Sequence, residues 1–269
     1  MTGDSHTGVG FRLADNRIVI YPLIVGAILV VSWQSAVRLF DISALILPPP
    51  SEIYLSYREF QALVNSNISS TLMVAGIGFF SALVSAFLLA VILTLSDKLR
   101  YALMPLILGF NTVPRVALAP LIVFYIGGFD AKYLISAWVA FFPMVVNTYE
   151  GIGNIDQDVE MLFTSVGASK WQELVKYRIP NAVPFIVDGM KIGIILAIVG
   201  AIVGEFVASD SGAGYLALVA LGQYNVALMF AIAIIMGFIA VVAFYLLYLI
   251  QNRLVYWESA SMFSIGDAE

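Results

Sequence analysis

Six stretches of this chain are apolar enough, for long enough, to cross a lipid bilayer, and that property limits the fold more than any other. Hydrocarbon offers an exposed amide no hydrogen-bond partner, so a crossing segment must satisfy its own backbone, which a helix of roughly 20 apolar residues does. The stretches cover about 18–40, 68–95, 101–126, 133–149, 182–208 and 226–250. With 61% of the residues hydrophobic and 12% charged, the polar surface of a water-soluble domain of this length is absent. The sequence predicts an all-α membrane protein with six transmembrane helices over residues 18–250 and short cytoplasmic tails at 1–17 and 251–269.

Lys and Arg collect on the cytoplasmic side of a membrane protein, so their placement orients the bundle. With the N-terminus inside, Arg12, Arg17, Lys98, Arg100, Lys170, Lys176, Arg178 and Arg253 are cytoplasmic, against Arg58 and Lys132 in outside loops. Both ends then lie in the cytoplasm (N-in/C-in), as an even number of crossings requires. The first stretch exceeds a signal-peptide core and no small-residue cleavage site follows it, so it reads as a retained helix. Next, LILPPPSEIYLSYREF stops the helix at three prolines and starts another, whose Ile53, Leu55 and Phe60 are expected along the membrane surface. The third stretch carries Pro105, Pro114 and Pro120, each of which removes a helical hydrogen bond. It is either a kinked structural helix or an unwound one against a cavity.

Missing residue types narrow the chemistry. There is no Cys and a single His, His6 in the N-terminal tail, so disulfides, thiol chemistry, cysteine metal sites and histidine catalysis drop out. The net charge of -5 is scattered and leaves no basic stripe for nucleic acid. A phosphate-cradling GxxxxGK[ST] loop needs a Gly-Lys pair, and the chain has none. Neither a catalytic residue nor a metal site nor a cofactor bound by this chain is expected.

Between the fourth and fifth stretches lies NIDQDVEMLFTSVGASKWQELVKYRIP, residues 154–180. Asn154 or Asp156 can cap a short helix running to Ser165, and Gly167 suits the left-handed residue that ends it. Ser169, with Gln172 three residues on, makes a capping box for a second helix. On that helix Trp171, Leu174 and Val175 share a face, while Lys170, Glu173 and Lys176 spread over the polar sides. Pro180 is expected to end it near Ile179. The result is two hinged helices with an apolar stripe, either bound by a partner or packed on the base of the bundle.

With Gly167-Ala168-Ser169, Ile179-Pro180 twelve residues past the glycine, and then NAVPFIVDGMKIG, this loop resembles the signature loop of a known family. The family is the permease subunits of binding-protein-dependent ATP-binding cassette importers. NTVPRVALAPLIVFYIGGF, VGEFVASDSGAGYL and LPPPSE are similar to its nitrate, taurine and aliphatic-sulfonate branch, and the likeness covers roughly 47–257. The resemblance implies a type I importer permease fold with cytoplasmic coupling helices in a prokaryotic inner membrane. It implies as partners a second permease copy, cytoplasmic ATPase subunits that hold ATP and Mg, and an external solute-binding protein. It also makes 154–180 the coupling loop, with Glu160, Met161, Gly167, Ala168, Ser169, Trp171, Leu174, Ile179 and Pro180 at the ATPase. One position departs from the pattern: the acid of the family's Glu-Ala-Ala opening falls on Met161. Glu160 stands one residue earlier, about 100° away round a helix.

Ionisable residues within crossing segments are the places to seek a pathway. Arg115, next to Pro114, falls about 14 residues into the third stretch, roughly 21 Å of helical rise. Glu205 sits near the outer end of the fifth. Each serves either the translocation path or outer gate, or a structural ion pair. Asp188 and Lys191, spaced i,i+3, read as an interfacial anchor, and Gly189, Gly193, Gly200 and Gly204 as a close-packing face. The expected function is a permease for a small, anionic solute; an ion-driven secondary transporter or channel is the alternative.

Overall fold

The computed structural model describes residues 16–127 and 130–255, less the side chains of 16–19, 111, 112 and 115. The tails lie almost wholly outside the described residues, and so does the Arg115 side chain. What is described is helical nearly throughout. Four helices are long and apolar enough to cross a membrane: Ile20–Leu39 within α1 (Asn16–Leu39), α3 (Gln61–Leu95), the continuous run Lys170–Ala208, and α11 (Val226–Leu254).

The third predicted stretch is broken. α4 (Asp97–Thr112) absorbs Pro105, but Val113 is extended, as a residue before proline prefers, and Pro114 leads into a 3-10 turn, Arg115–Leu118. α5 (Ala119–Ile126) follows with Pro120 in its first turn, where the missing amide costs nothing. α6 (Ala131–Gly153) overruns the fourth predicted stretch at both ends. Lys132, expected in an outside loop, is instead in the first turn of α6 and only 6% exposed. Its ammonium has a partner there, donating to Ser209 Oγ at 3.1 Å.

α7 (Gln157–Ser165) and α8 (Lys170–Glu173) form the two short helices of the 154–180 loop. The expected stop at Ile179 does not occur. α8 passes through a π-helical turn, Leu174–Arg178, into α9 (Ile179–Ala208), the Ile179 amide bonding Leu174 O five residues back. The wider turn makes room for the Pro180 ring, which in a regular α-helix would meet the carbonyl four residues behind it.

The centre of the bundle is the seam of α6 on α9, with α3 lying against both. A Cβ on Gly200 or Gly204 would stand 2.9 Å from the Ser136 Cα or 2.7 Å from the Lys132 Cα, so only glycine permits this approach. Gly189 and Gly193 press on Met144, so all four glycines of the predicted packing face serve the seam. Across it Ser136 Oγ donates to the Ala197 carbonyl at 2.8 Å. A buried cluster including Val74, Ile198, Leu216 and Ile232 joins α3 and α9 to α10 (Ala213–Gly222) and α11.

The Asp188–Lys191 pair forms, at 2.6 Å, but not as an interfacial anchor. Lys191 is 5% exposed and also donates to Gln251 Oε1 at 2.6 Å, while Gln251 Nε2 donates to Asp188 Oδ1 at 3.1 Å. Gln251, sixty residues from Lys191, thus ties the expected pair to α11, with Lys191 buried and Asp188 partly exposed. α1 is exposed along most of its length and is held near its end, where Gln34 accepts from the Ser51 amide at 3.0 Å and donates to the Ser51 hydroxyl at 3.1 Å. Ser51 belongs to α2 (Pro50–Glu59), whose Ile53 is buried, so of the predicted interfacial trio only Leu55 stays exposed.

Candidate functional site

The coupling elements assemble largely by local chemistry. The Asp156 side chain accepts from the Asp158 amide at 2.9 Å and caps α7. At the other end Gly167 adopts φ +69°, its amide bonds Thr164 O at 3.1 Å and the Ala168 amide bonds Phe163 O at 3.0 Å. This is the paired closure that a left-handed glycine gives a helix end. Ser169 Oγ accepts from the Gln172 amide and Gln172 Oε1 from the Ser169 amide, at 3.2 and 2.8 Å, so the predicted capping box is complete.

The predicted stripe divides. Leu174 is fully buried with Ala90, Ile152 and Ala182, at the junction of the π turn with α3, α6 and α9. Trp171, 61% exposed, and Val175 point away from the bundle, as do Met161, Leu162 and Val166 of the preceding elements. Leu174 therefore fixes the elements to the base, and the other apolar side chains are left exposed among the described residues. Glu160 faces elsewhere: with Lys170 it lines a polar cavity of about 230 Å³ at the base, beside Asp97, Arg100, Glu173 and Arg178. Ile179 is half-buried and Pro180 exposed where α9 begins.

Sequence reasoning missed the Glu173–Arg178 pair. Arg178 Nη2 and Nε lie 2.5 and 2.6 Å from Glu173 Oε1, and Nη1 reaches the Ile152 and Gly153 carbonyls at the end of α6, both at 3.4 Å. Five residues apart, the two would sit about 140° round an α-helix; the π turn brings them to one side. No pattern read with α-helical spacing shows them as partners.

At the opposite end of α9 a second polar cluster surrounds Glu205, which is 1% exposed. Its Oε2 accepts from Thr71 Oγ1 at 2.9 Å and from the Gly214 amide at 2.8 Å. Thr71 Oγ1 in turn accepts from the Ala213 amide at 2.7 Å, and Asn67 Oδ1 from the Gly212 amide at 2.8 Å. The amides of Gly212, Ala213 and Gly214 at the start of α10 are thus taken by side chains of α3 and α9. Gly212 has φ +108° and a Cβ there would collide with the Glu205 carboxyl, so the spacing within VGEFVASDSGAGYL follows from this corner. Glu205 is enclosed, and of the other two pathway candidates Pro114 is exposed at the α4 break, whereas the Arg115 side chain lies outside the described residues.

The comparisons with known proteins cover the region that holds the broken helix, the short helices and the continuous span. Residues 78–256 fit the family described as the binding-protein-dependent transport system inner membrane component. The chain belongs to this family. It is accordingly a multi-pass inner-membrane permease of an ATP-binding cassette importer, in the branch that contains nitrate, taurine and sulfonate permeases. It is 28% identical to the formylaminopyrimidine transport permease protein ThiX of Halalkalibacterium halodurans, over 88% of this chain and 95% of that one. It is 35% identical to the riboflavin transport system permease protein RibX of Chloroflexus aurantiacus, over 87% and 88%. The taurine permease TauC of Escherichia coli is 27% identical over 86% and 87%. In fold the chain is similar to the MetNI methionine ABC transporter in an inward-facing conformation, with a TM-score of 0.64, 16% identity and coverage of 73% of this chain and 98% of that one.

Proposed function

We propose that this permease spans the membrane six times with both ends in the cytoplasm, pairs with a second copy, and takes a small anionic solute from an external binding protein. The four long helices, the α4–α5 segment and α6 together make six crossings. Cytoplasmic ATPase subunits holding ATP and Mg supply the work, since this chain carries no phosphate-binding loop. The observation that carries the reading is the set of apolar side chains left exposed among the described residues, Met161, Leu162, Val166, Trp171 and Val175, on elements whose ends are already capped. Such a patch on a pre-organised scaffold suits insertion of Trp171 into a cleft of the ATPase. Gly167 is the hinge between α7 and α8, and Ala168, Ser169 and Leu174 hold the geometry while Ile179 and Pro180 carry movement into α9. Glu160, facing the polar cavity, does not take the place of the acid that Met161 replaces.

The break at Pro114 and Arg115 lines the path, because irregular backbone at membrane depth survives only beside protein or water. Glu205 serves the outer gate by holding the α9–α10 corner, without itself facing the solute. A second reading concerns the solute: the relatives named for formylaminopyrimidine and riboflavin match over most of the chain, which favours a neutral or weakly charged heterocycle. Purified with its ATPase and binding protein, the complex is expected to import one of taurine, nitrate or riboflavin in an ATP-dependent manner. Trp171→Glu is expected to cut ATPase co-purification at least tenfold, and an unchanged yield would overturn the docking assignment. The absence of native cysteine makes single-cysteine labelling a direct check of the six crossings.

A further inference from the structure

We infer that Gln251 is a positioning residue for transport: its buried amide locks α11 onto the turns of α9 from Pro184 to Lys191, so that a displacement entering α9 at its base carries α11 with it. The inference rests on the permease reading above. Asp188 and Lys191 stand three residues apart on one helix, and their ion pair at 2.6 Å balances both charges without help from α11. Gln251, 7% exposed on α11, nevertheless directs its whole amide at α9. Its Oε1 accepts from Lys191 Nζ at 2.6 Å, while its Nε2 donates to Asp188 Oδ1 at 3.1 Å and to the Pro184 carbonyl at 3.3 Å. Phe244 and Tyr248 of α11 add their rings, each centred 5.9 Å from the Lys191 ammonium. Three points over two turns of α9 are thus held by one side chain.

An apolar side chain would join the two helices at a lower desolvation cost, since a buried amide needs partners at both its ends. What the amide adds is register. A leucine lets one helix slide or roll on the other by part of a turn, whereas an amide with donor and acceptor both matched does not. The place it occupies matters as well. Pro184 has no amide to bond the carbonyl of Pro180, so α9 is weakest in this turn, and Gln251 bridges it from the Pro184 carbonyl to Lys191. A tilt applied below Pro184 therefore reaches α11 together with the upper part of α9. At its other end α11 is capped by Asn225, whose Oδ1 accepts from the Ser56 hydroxyl of α2 at 3.3 Å. Through Ser51 of α2 and Gln34, the end of α1 belongs to the same train.

The test uses the full complex with its ATPase and binding protein, and whichever of taurine, nitrate or riboflavin the parent imports. Gln251→Leu and Gln251→Met keep the bulk of the side chain, remove its three hydrogen bonds and leave the Asp188–Lys191 pair in place. Each is expected to assemble with the ATPase and to lose at least fivefold in solute moved per ATP hydrolysed. A second measurement reads the tie itself. Because the chain has no native cysteine, spin labels on Val199→Cys of α9 and Val241→Cys of α11, both exposed positions, report the spacing of the two helices. The parent is expected to give the same narrow distance distribution with and without trapped ATP, and the Gln251 variants one at least twice as wide. A parent-like transport ratio in the variants, a parent-like distance in them, or a parent distance that changes with nucleotide overturns the inference, as does failure of both variants to assemble, which would make Gln251 a residue of the fold alone. A parent complex that imports none of the three solutes removes the permease reading and with it the transport role, while the label distances still decide whether Gln251 ties α11 to α9.

Discussion

The two ends of the Lys170–Ala208 run are built on opposite plans. At the base, polar groups are satisfied locally by Asp156, Ser169 and Gln172, and apolar side chains such as Trp171 and Met161 are left exposed. At the far end, Glu205, Thr71 and Lys132 are buried and their hydrogen bonds run mainly between helices, Thr71 to Glu205 and Lys132 to Ser209. A surface made complete by its own caps and left apolar outside is suited to receive another chain. A corner whose polar groups depend on three helices is suited to keep those helices together. The first can be altered with little cost to the bundle, whereas changes at the second weaken it.

The largest effect is expected at the corner. Glu205→Ala leaves the Gly214 amide without its acceptor, removes one of the two acceptors of the Thr71 hydroxyl and opens a void at a fully buried position. A destabilisation of about 2–4 kcal/mol is expected, read as lost yield and a lowered thermal midpoint in detergent. Gly204→Ala drives a methyl into the Lys132 backbone and is expected to cost about 1–3 kcal/mol on the same assay. A stable Gly204→Ala chain would show that α6 and α9 can separate, which would weaken the contrast between the ends. Ser169→Ala removes one half of the capping box. It is expected to cost about 1 kcal/mol, confined to faster amide exchange around α8 and leaving the midpoint of the whole bundle nearly unchanged. The smallest stability effect belongs to Trp171→Glu, within about 0.5 kcal/mol because the ring is already exposed. A large midpoint shift there would mean that the patch is part of the fold and not a surface for another chain.

What could be read from the sequence follows the same division. The caps at Asp156 and Ser169 and the left-handed Gly167 depend on residues within one turn, and all three stand where local chemistry puts them. The long apolar runs also stand, because hydropathy summed over a span outweighs any single residue. Leu174 defeats helical-face reasoning: Ala90, Ile152 and Ala182 draw it inward, and none is adjacent in sequence. Pro180 signals a stop only in a regular α-helix, and the π turn removes the clash on which that signal depends. Lys132 and Asp188 were misplaced for one reason, since Ser209 and Gln251 reach them across the fold and no spacing rule connects them. α10 was invisible because its first amides are satisfied by α3 and α9 and not by a capping residue of its own.

The uninterrupted run from α8 to the end of α9 has a mechanical meaning. Its 39 residues amount to a lever about 58 Å long at a helical rise of 1.5 Å per residue. A tilt of about 5° at the base then carries the far tip sideways by about 5 Å, comparable to the width of a small solute. Because no loop stands between Trp171 and Glu205, a displacement imposed on one reaches the other as rotation, and the π turn beside Arg178, like Pro184 inside α9, is a point where that lever can flex.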